Sequence, residues 1–285
     1  MTAIGIVANQ QKKNAWVVAE ELVRLLEEKQ AGVYIDHAVA SHIGRLDLAL
    51  PLDKFHEKVD IIFVLGGDGT LIGLARELAR YTIPILGINM GNLGFLSESE
   101  PDDLPHAVDR ILSGEYCVEE RMMLHTEVLR NGQRVHEGIA LNDIGIAKGS
   151  FGRMIKCNVY VDDLYVGMYN GDGVIISTPT GSTAYSLSAG GPIVVPYINV
   201  ILLTPVAPHS LTARPLVLPA DEEIHVIVDA THNDLGLTID GQLGFGLEIG
   251  DEIIVRRSPY MTSLIKWKKR SFFEVVRKKL QREDE

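Results

Sequence analysis

A single carboxylate sits among glycines at the end of an apolar run. The stretch reads Ile61-Ile62-Phe63-Val64-Leu65-Gly66-Gly67-Asp68-Gly69-Thr70. Five apolar, partly β-branched residues predict a buried strand. The glycines allow a tight turn and a close approach of backbone to a ligand. Leu71 to Ala79 predicts a helix, so the loop offers N–H groups to an anion at a helix N-terminus. A carboxylate repels phosphate unless it binds a metal or takes a proton. Asp68 therefore points to phosphoryl transfer more than to simple phosphate binding. The run has no Gly-Lys-Ser/Thr, so it is not a Walker A loop, and its spacing is not the dinucleotide fingerprint. The plain alternative is a strand-to-helix turn that needs glycine.

Three further stretches carry binding-type residues. Asn89-Met90-Gly91-Asn92-Leu93-Gly94-Phe95-Leu96 combines glycines, amides and an aromatic, suited to a binding wall or to an ordinary loop. Asn142-Asp143 reads by itself as a turn. Asn170-Gly171-Asp172-Gly173 leads into Thr178-Pro179-Thr180-Gly181-Ser182-Thr183-Ala184-Tyr185-Ser186-Leu187-Ser188-Ala189-Gly190-Gly191-Pro192. Its hydroxyls suit sugar and phosphate oxygens, and it contains no Gly-x-Ser-x-Gly nucleophile elbow.

The elements that position these groups fall into two textures. In the first, Ile4–Val7, Val33–Ile35, Ile61–Leu65 and Ile83–Ile88 read as strands alternating with helices. Asn14 is the expected cap of a helix whose Val18, Leu22, Leu25 and Leu26 share a face, with Gly32 as its stop. Repeated βα units predict a parallel sheet with ligands at the carboxyl ends of its strands. From Val118 onward, short alternating strands with polar breaks, such as the Asn131-Gly132 turn, predict an all-β domain. Phe272 to Leu280 closes the chain as an amphipathic helix, with Phe272, Val276 and Leu280 on a face that needs a partner. Arg282 to Glu285 reads as a frayed tail, and Lys266 to Arg270 as solvated surface.

Composition narrows the function. A net charge of -11 argues against general nucleic-acid binding. The nine histidines are scattered, and the two cysteines, Cys117 and Cys157, form no metal-type pair. No segment is apolar for long enough to span a bilayer, and Met1–Ala8 reads as a first strand rather than a signal peptide.

Taken together, these motifs resemble the NAD kinase family. The carriers are Gly66–Thr70, Gly91–Leu96, Asn142-Asp143, Thr178–Pro192, Pro205–Pro219 with Arg214-Pro215, and Phe273-Glu274-Val275. The glycine–aspartate motif alone is shared with diacylglycerol and sphingosine kinases and loosely with phosphofructokinases; the Thr178–Pro192 run is the more specific. The resemblance implies an N-terminal parallel-sheet α/β domain (1–115), a C-terminal β-sandwich domain (116–267) and a closing helix (268–285) that returns to the first domain. It implies transfer of a terminal phosphoryl group from ATP or polyphosphate to the adenosine ribose 2′-hydroxyl of NAD, and a homodimer or homotetramer. Such a donor needs its charge neutralised by Mg²⁺ or another divalent cation with unassigned ligands, and the lack of a disulfide scaffold fits a cytoplasmic location.

By that resemblance Asp68 is the general base, with hydroxyl positioning or help in holding Mg²⁺ as open alternatives. Gly66, Gly67, Gly69 and Thr70 form the donor phosphate loop. Gly69, Asn92, Phe95, Asn142, Asp143, Arg153, Asp172, Thr183, Ala184, Tyr185, Ser188 and Gln242 carry over as NAD contacts. Three positions depart from the family: Asp143 where Glu is commoner, Val195 in place of a frequent His, and Ala213 in place of a common Phe. The rival readings are a lipid or sugar kinase of the same superfamily and a non-catalytic nucleotide sensor.

Overall fold

The computed structural model describes residues 2–91, 94–150, 152–267 and 271–280. The chain divides into two compact units, residues 1–120 with 262–285, and residues 121–261.

The first unit contains β1 (Ala3–Ala8), α1 (Lys13–Glu28), β2 (Gly32–Ile35), α2 (His37–His42), α3 (Phe55–Lys58), β3 (Ile61–Gly66), α4 (Asp68–Glu77), β4 (Ile85–Asn89) and α5 (Leu104–Ser113). The strands pair in parallel in the order β2-β1-β3-β4. Every residue of β3 and β4 is buried. That is the physical reason the strands read as continuous apolar runs: helices cover both faces of a parallel sheet. Ile4, Ile6, Phe63, Leu65, Leu86 and Ile88 pack in one core with Val18, Leu22 and Leu26 of α1 and Val108 and Ile111 of α5.

Three local expectations change. The helix α1 follows Lys12, which makes no side-chain cap bond, and Asn14 lies inside its first turn. The chain leaves that helix through Gln30 in the left-handed region (φ 57), while Gly32 opens β2. And α4 begins at Asp68 rather than Leu71, so Asp68, Gly69 and Thr70 are its first turn.

The second unit is almost entirely β. The strand β5 (Cys117–Arg130) carries the chain into it and is followed by β6 (Gln133–Ala140), β7 (Asp143–Lys148), β8 (Ile155–Val161), β9 (Leu164–Gly171) and β10 (Gly173–Ser177). A 3-10 turn (Thr180–Thr183) and the short helix α6 (Tyr185–Ser188) come next. Then follow β11 (Val200–Val206), β12 (Leu216–Pro219), β13 (Ile224–Asp229), β14 (Leu235–Ile239), β15 (Leu243–Leu247) and β16 (Glu252–Lys266). One sheet has the order β12-β11-β10-β7-β14-β15, every neighbour antiparallel. In the other, β13 pairs with β16 and β8, and β9 extends the edge. Asn131 and Gly132, both at positive φ, join β5 to β6 as the sequence predicts. Inward residues of both sheets, among them Ile146, Ile176, Leu203, Val226, Leu237 and Val255, share one core, which makes the unit a β-sandwich.

The end of β16 belongs to the first unit, where Leu264 pairs with Ile85. The closing helix α7 (Phe272–Leu280) is grouped with the same unit. Its most buried described side chain is Val275, with Phe272 and Val276 only half-buried. Lys266 is no solvated lysine: it pairs with buried Glu98 at 3.0 Å. Residues 268–270 of the expected basic surface, and the expected Arg282–Glu285 tail, lie outside the described residues. No described helix is long and apolar enough to cross a membrane.

Candidate active site

In the first unit the Asp68 carboxylate is the meeting point of two chain segments. The backbone leaves β3 through Gly66 and Gly67, and α4 starts without a side-chain cap. Its first turn sends Asp68 toward the segment that follows β4. There Phe95 N–H donates to Oδ2 at 2.7 Å, while Leu96 N–H and the Ser97 hydroxyl donate to Oδ1, each at 3.2 Å. Gly94 lies against the same carboxylate; a Cβ there would stand 1.9 Å from Oδ1. The glycine is therefore required by the acid, and the acid orders the loop.

Thr70 turns back beneath the strand end. Its Oγ1 accepts from Asn9 Nδ2 at 2.9 Å and would collide with any Cβ on Gly66. Gly67 is different. Its backbone is extended (φ -107, ψ -176), which any residue adopts, and a Cβ would meet nothing within 4 Å. Neither backbone nor packing asks for glycine at 67. Gly69 is exposed on the first turn of α4. Phe95 is half-buried, with Lys279 Nζ of α7 4.9 Å from the ring centre. Asn92 lies outside the described residues.

In the second unit the Thr178 run folds against Asn142. Thr178 N–H donates to Asn142 O at 2.8 Å, and Thr178 Oγ1 to Leu141 O at 2.6 Å. The hydroxyls of this run are mostly structural, contrary to their reading as ligand groups. Ser177, Thr178, Ser182 and Ser186 are fully buried. Ser182 bonds to Pro179 O and receives Val194 N–H, and Ser186 pairs with Thr204. The turn leaves Leu187, Ala189 and Gly190 accessible, and with them Thr183, Ala184, Tyr185 and Ser188, Tyr185 being 51% exposed. The last four are the residues of this run that the sequence marks as NAD contacts.

Asn142 and Asp143 are held by Asp240, which in the sequence alone looks like an ordinary turn residue. Asp240 accepts the backbone N–H groups of Leu141, Asn142 and Asp143 at 3.1, 2.7 and 3.1 Å. It does so from the left-handed region (φ 52), followed by Gly241 at φ 63. The only hint in the sequence is that an Asp-Gly turn lets aspartate adopt this conformation. Asp143 itself is buried. Burial, then the neighbouring Asp240 charge, pushes its carboxyl up to about 7. Asn142–Asp143 and Thr183–Ser188 are thus assembled in one region by Asp240 and the Thr178 turn.

The remaining predicted contacts are more exposed. Asp172 sits 3.7 Å from Lys148 Nζ. Arg153 is exposed, and its carbonyl oxygen lies 2.7 Å from His232 Nε2. Gln242 is exposed at the turn after β14. Elsewhere His125, Glu127 and Glu137 bring three ligating atoms together. Arg134 pairs with both glutamates and Arg256 with Glu127, so their charges are balanced without a metal.

Residues 4–116 match the ATP-NAD kinase N-terminal domain, and residues 141–267 match the ATP-NAD kinase C-terminal domain. The chain belongs to the NAD kinase family. It is 44% identical over 280 residues to the NAD kinase of Symbiobacterium thermophilum, spanning 98% of this chain and 99% of that one. The NAD kinase of Carboxydothermus hydrogenoformans is 42% identical, over 96% and 97% of the two chains. Among solved structures, yeast NADH kinase complexed with NADH superposes with a TM-score of 0.90 at 25% identity, covering 99% of this chain and 88% of that one. An NAD kinase from Archaeoglobus fulgidus in complex with ATP gives 0.77 at 25% identity, covering 97% and 99%. The family and the two-part α/β and β-sandwich fold expected from the motifs are both borne out.

Proposed function

We propose that the chain transfers the terminal phosphoryl group of ATP to the adenosine ribose 2′-hydroxyl of NAD, giving NADP. The observation that carries this is the match to NAD kinases across nearly the whole of both chains. Phosphoryl transfer needs positioning and charge neutralisation more than covalent chemistry from the protein. In this reading Asp68 acts on the hydroxyl, taking its proton late, once the new O–P bond has begun to form. Gly66, Gly67, Gly69 and Thr70 form the donor loop at the N-terminus of α4, where N–H groups and the helix dipole favour phosphate.

Phe95 and Asn92 are assigned as walls of the adenosine pocket, and Gly69, Asn142, Asp143, Asp172, Thr183, Ala184, Tyr185 and Ser188 to NAD, with Arg153 and Gln242 as further substrate contacts. Asp143 at about 7 is partly protonated near neutrality. In that form it can donate to a sugar oxygen as well as accept from a hydroxyl. When bound, Mg²⁺ or another divalent cation would neutralise the charge of the donor phosphates. Among the described residues, the single group of three ligating side chains is the arginine-paired His125 set. A bound cation would therefore be held mainly by phosphate and water oxygens rather than by a protein cage.

Polyphosphate is proposed as a second donor. A homodimer or homotetramer is supported by the exposed Leu164, Tyr165 and Met168 on the edge strand β9. Cytoplasmic residence is supported by the free cysteines Cys117 and Cys157. The test offers NAD and diacylglycerol as acceptors, each with ATP and with polyphosphate, and identifies the product by mass. NADP formed from NAD and ATP is expected; phosphorylation of the lipid alone, or nucleotide binding with no transfer, would overturn the assignment.

A further inference from the structure

The surroundings of Asp68 distinguish its two oxygens. Oδ1 accepts two hydrogen bonds, from Leu96 N–H and from the Ser97 hydroxyl, each at 3.2 Å. Oδ2 accepts one, from Phe95 N–H at 2.7 Å. A carboxylate has about four acceptor positions, two on each oxygen. Among the described residues, Oδ1 is thus filled and Oδ2 keeps one position open. Rotation of the carboxylate would exchange these roles, and two features oppose it. Gly94 presses on it with no side chain to spare. Ser97, 3% exposed, supplies the side-chain donor among the three contacts. The backbone donors are anchored in turn: Lys266 Nζ donates to Leu96 O at 3.1 Å and to Glu98 at 3.0 Å, and Glu98 receives Trp267 N–H at 3.1 Å.

We propose that Ser97 is a positioning residue for the phosphoryl transfer. Its hydroxyl occupies Oδ1, fixes the carboxylate plane, and leaves Oδ2 as the atom that meets the 2′-hydroxyl and takes its proton. The proton passes from the ribose oxygen to Oδ2 as that oxygen bonds to phosphorus and the donor's bridging P–O bond breaks, the electron pair leaving with ADP. This inference rests on the proposed role of Asp68 as base.

The test compares Ser97→Ala and Ser97→Thr with the parent, and places Ser97→Ala in an Asp68→Asn background. Ser97→Ala should lower kcat by up to about 100-fold, as loss of alignment does, with both KM values unchanged and at most a small fall in melting midpoint from the lost buried hydrogen bond. Ser97→Thr keeps the hydroxyl and should recover most of the rate. In the Asp68→Asn background, removing the hydroxyl should cost nothing further, because residues acting as a unit are non-additive. The inference is overturned if Ser97→Ala retains full kcat while Asp68→Asn is inactive. It is equally overturned if the serine's effect is a matching rise in KM and a large fall in melting midpoint, or persists undiminished without Asp68. An Asp68→Asn enzyme with near-normal kcat would instead remove the base assignment beneath it.

Discussion

Replacing Asp143 with asparagine should make the protein more stable at alkaline pH and nearly flatten one component of its pH dependence. The side chain is buried beside Asp240, and its carboxyl is raised from 3.8 to about 7. The sign follows from proton binding: a folded state with the higher pKa holds the proton more tightly, so stability falls as pH rises from the unfolded value through the folded one. With these two values the loss is about 2 kcal/mol at pH 5 and about 4 kcal/mol at pH 8, a difference of about 2–3 kcal/mol. For a chain of this size that is a few degrees in melting midpoint. The assay is thermal unfolding of parent and Asp143→Asn at half-unit steps from pH 5 to pH 8. The gap between the two should widen in favour of the variant across that window. Parallel curves would refute the reasoning, because they would mean that Asp143 is already ionised at pH 5 and feels neither burial nor Asp240.

Gly67→Ala should fold with an unchanged melting midpoint, since the added Cβ meets open space, but should raise KM for ATP about tenfold or more if phosphate approaches that backbone. Activity matching the parent would remove Gly67 from the donor loop. Asp251→Asn should destabilise by about 3 kcal/mol at pH 7, because a two-point bond to Arg130 at 2.9 and 2.8 Å would be broken in a buried setting. Burial raises the Asp251 carboxyl, but Arg130 and the Glu248 N–H outweigh it and hold it below its ordinary value. The stabilisation is therefore present at neutral pH, and the penalty should shrink as the pH falls below about 4; urea titrations at pH 7 and at about pH 3 check it. Chelating divalent cations should abolish transfer and leave the melting midpoint unaltered, since the metal is assigned to the donor phosphates. A large drop in midpoint on chelation would point to a structural ion.

Some of the architecture is plain from the residues because its causes are local. A strand buried on both faces has to be apolar throughout, so β3 announces itself. Alternation in Ile224-His225-Val226-Ile227-Val228 reflects a sandwich strand with buried Ile224, Val226 and Val228. Asn131-Gly132 names its own turn. What escapes a reading of the chain depends on distant partners. Asp68 looks like a loop residue until Phe95, Leu96 and Ser97, some thirty positions later, accept it as their anchor; its place in the first turn of α4 and the need for Gly94 follow from that contact. Asp240 looks like an ordinary hairpin aspartate because the three N–H groups it receives are about a hundred residues away. The hydroxyls of the Thr178 run mislead in the opposite direction. Their number suggests ligand binding, yet Ser182 and Ser186 are buried because the turn must satisfy its own backbone and pack against Asn142. Gln30 ends α1 in place of Gly32, which shows that a left-handed residue need not be glycine when a helix stop is exposed.

The most direct test of the central claim follows label from the γ-phosphate of ATP in reactions with NAD and Mg²⁺, for the parent and for Asp68→Asn, with NAD binding measured on both. Label is expected at the 2′-position of the adenosine ribose with the parent, and loss of at least about 100-fold in kcat with Asp68→Asn while NAD still binds. Label transfer at near-parental rate by Asp68→Asn, or label in any product other than NADP, would contradict it.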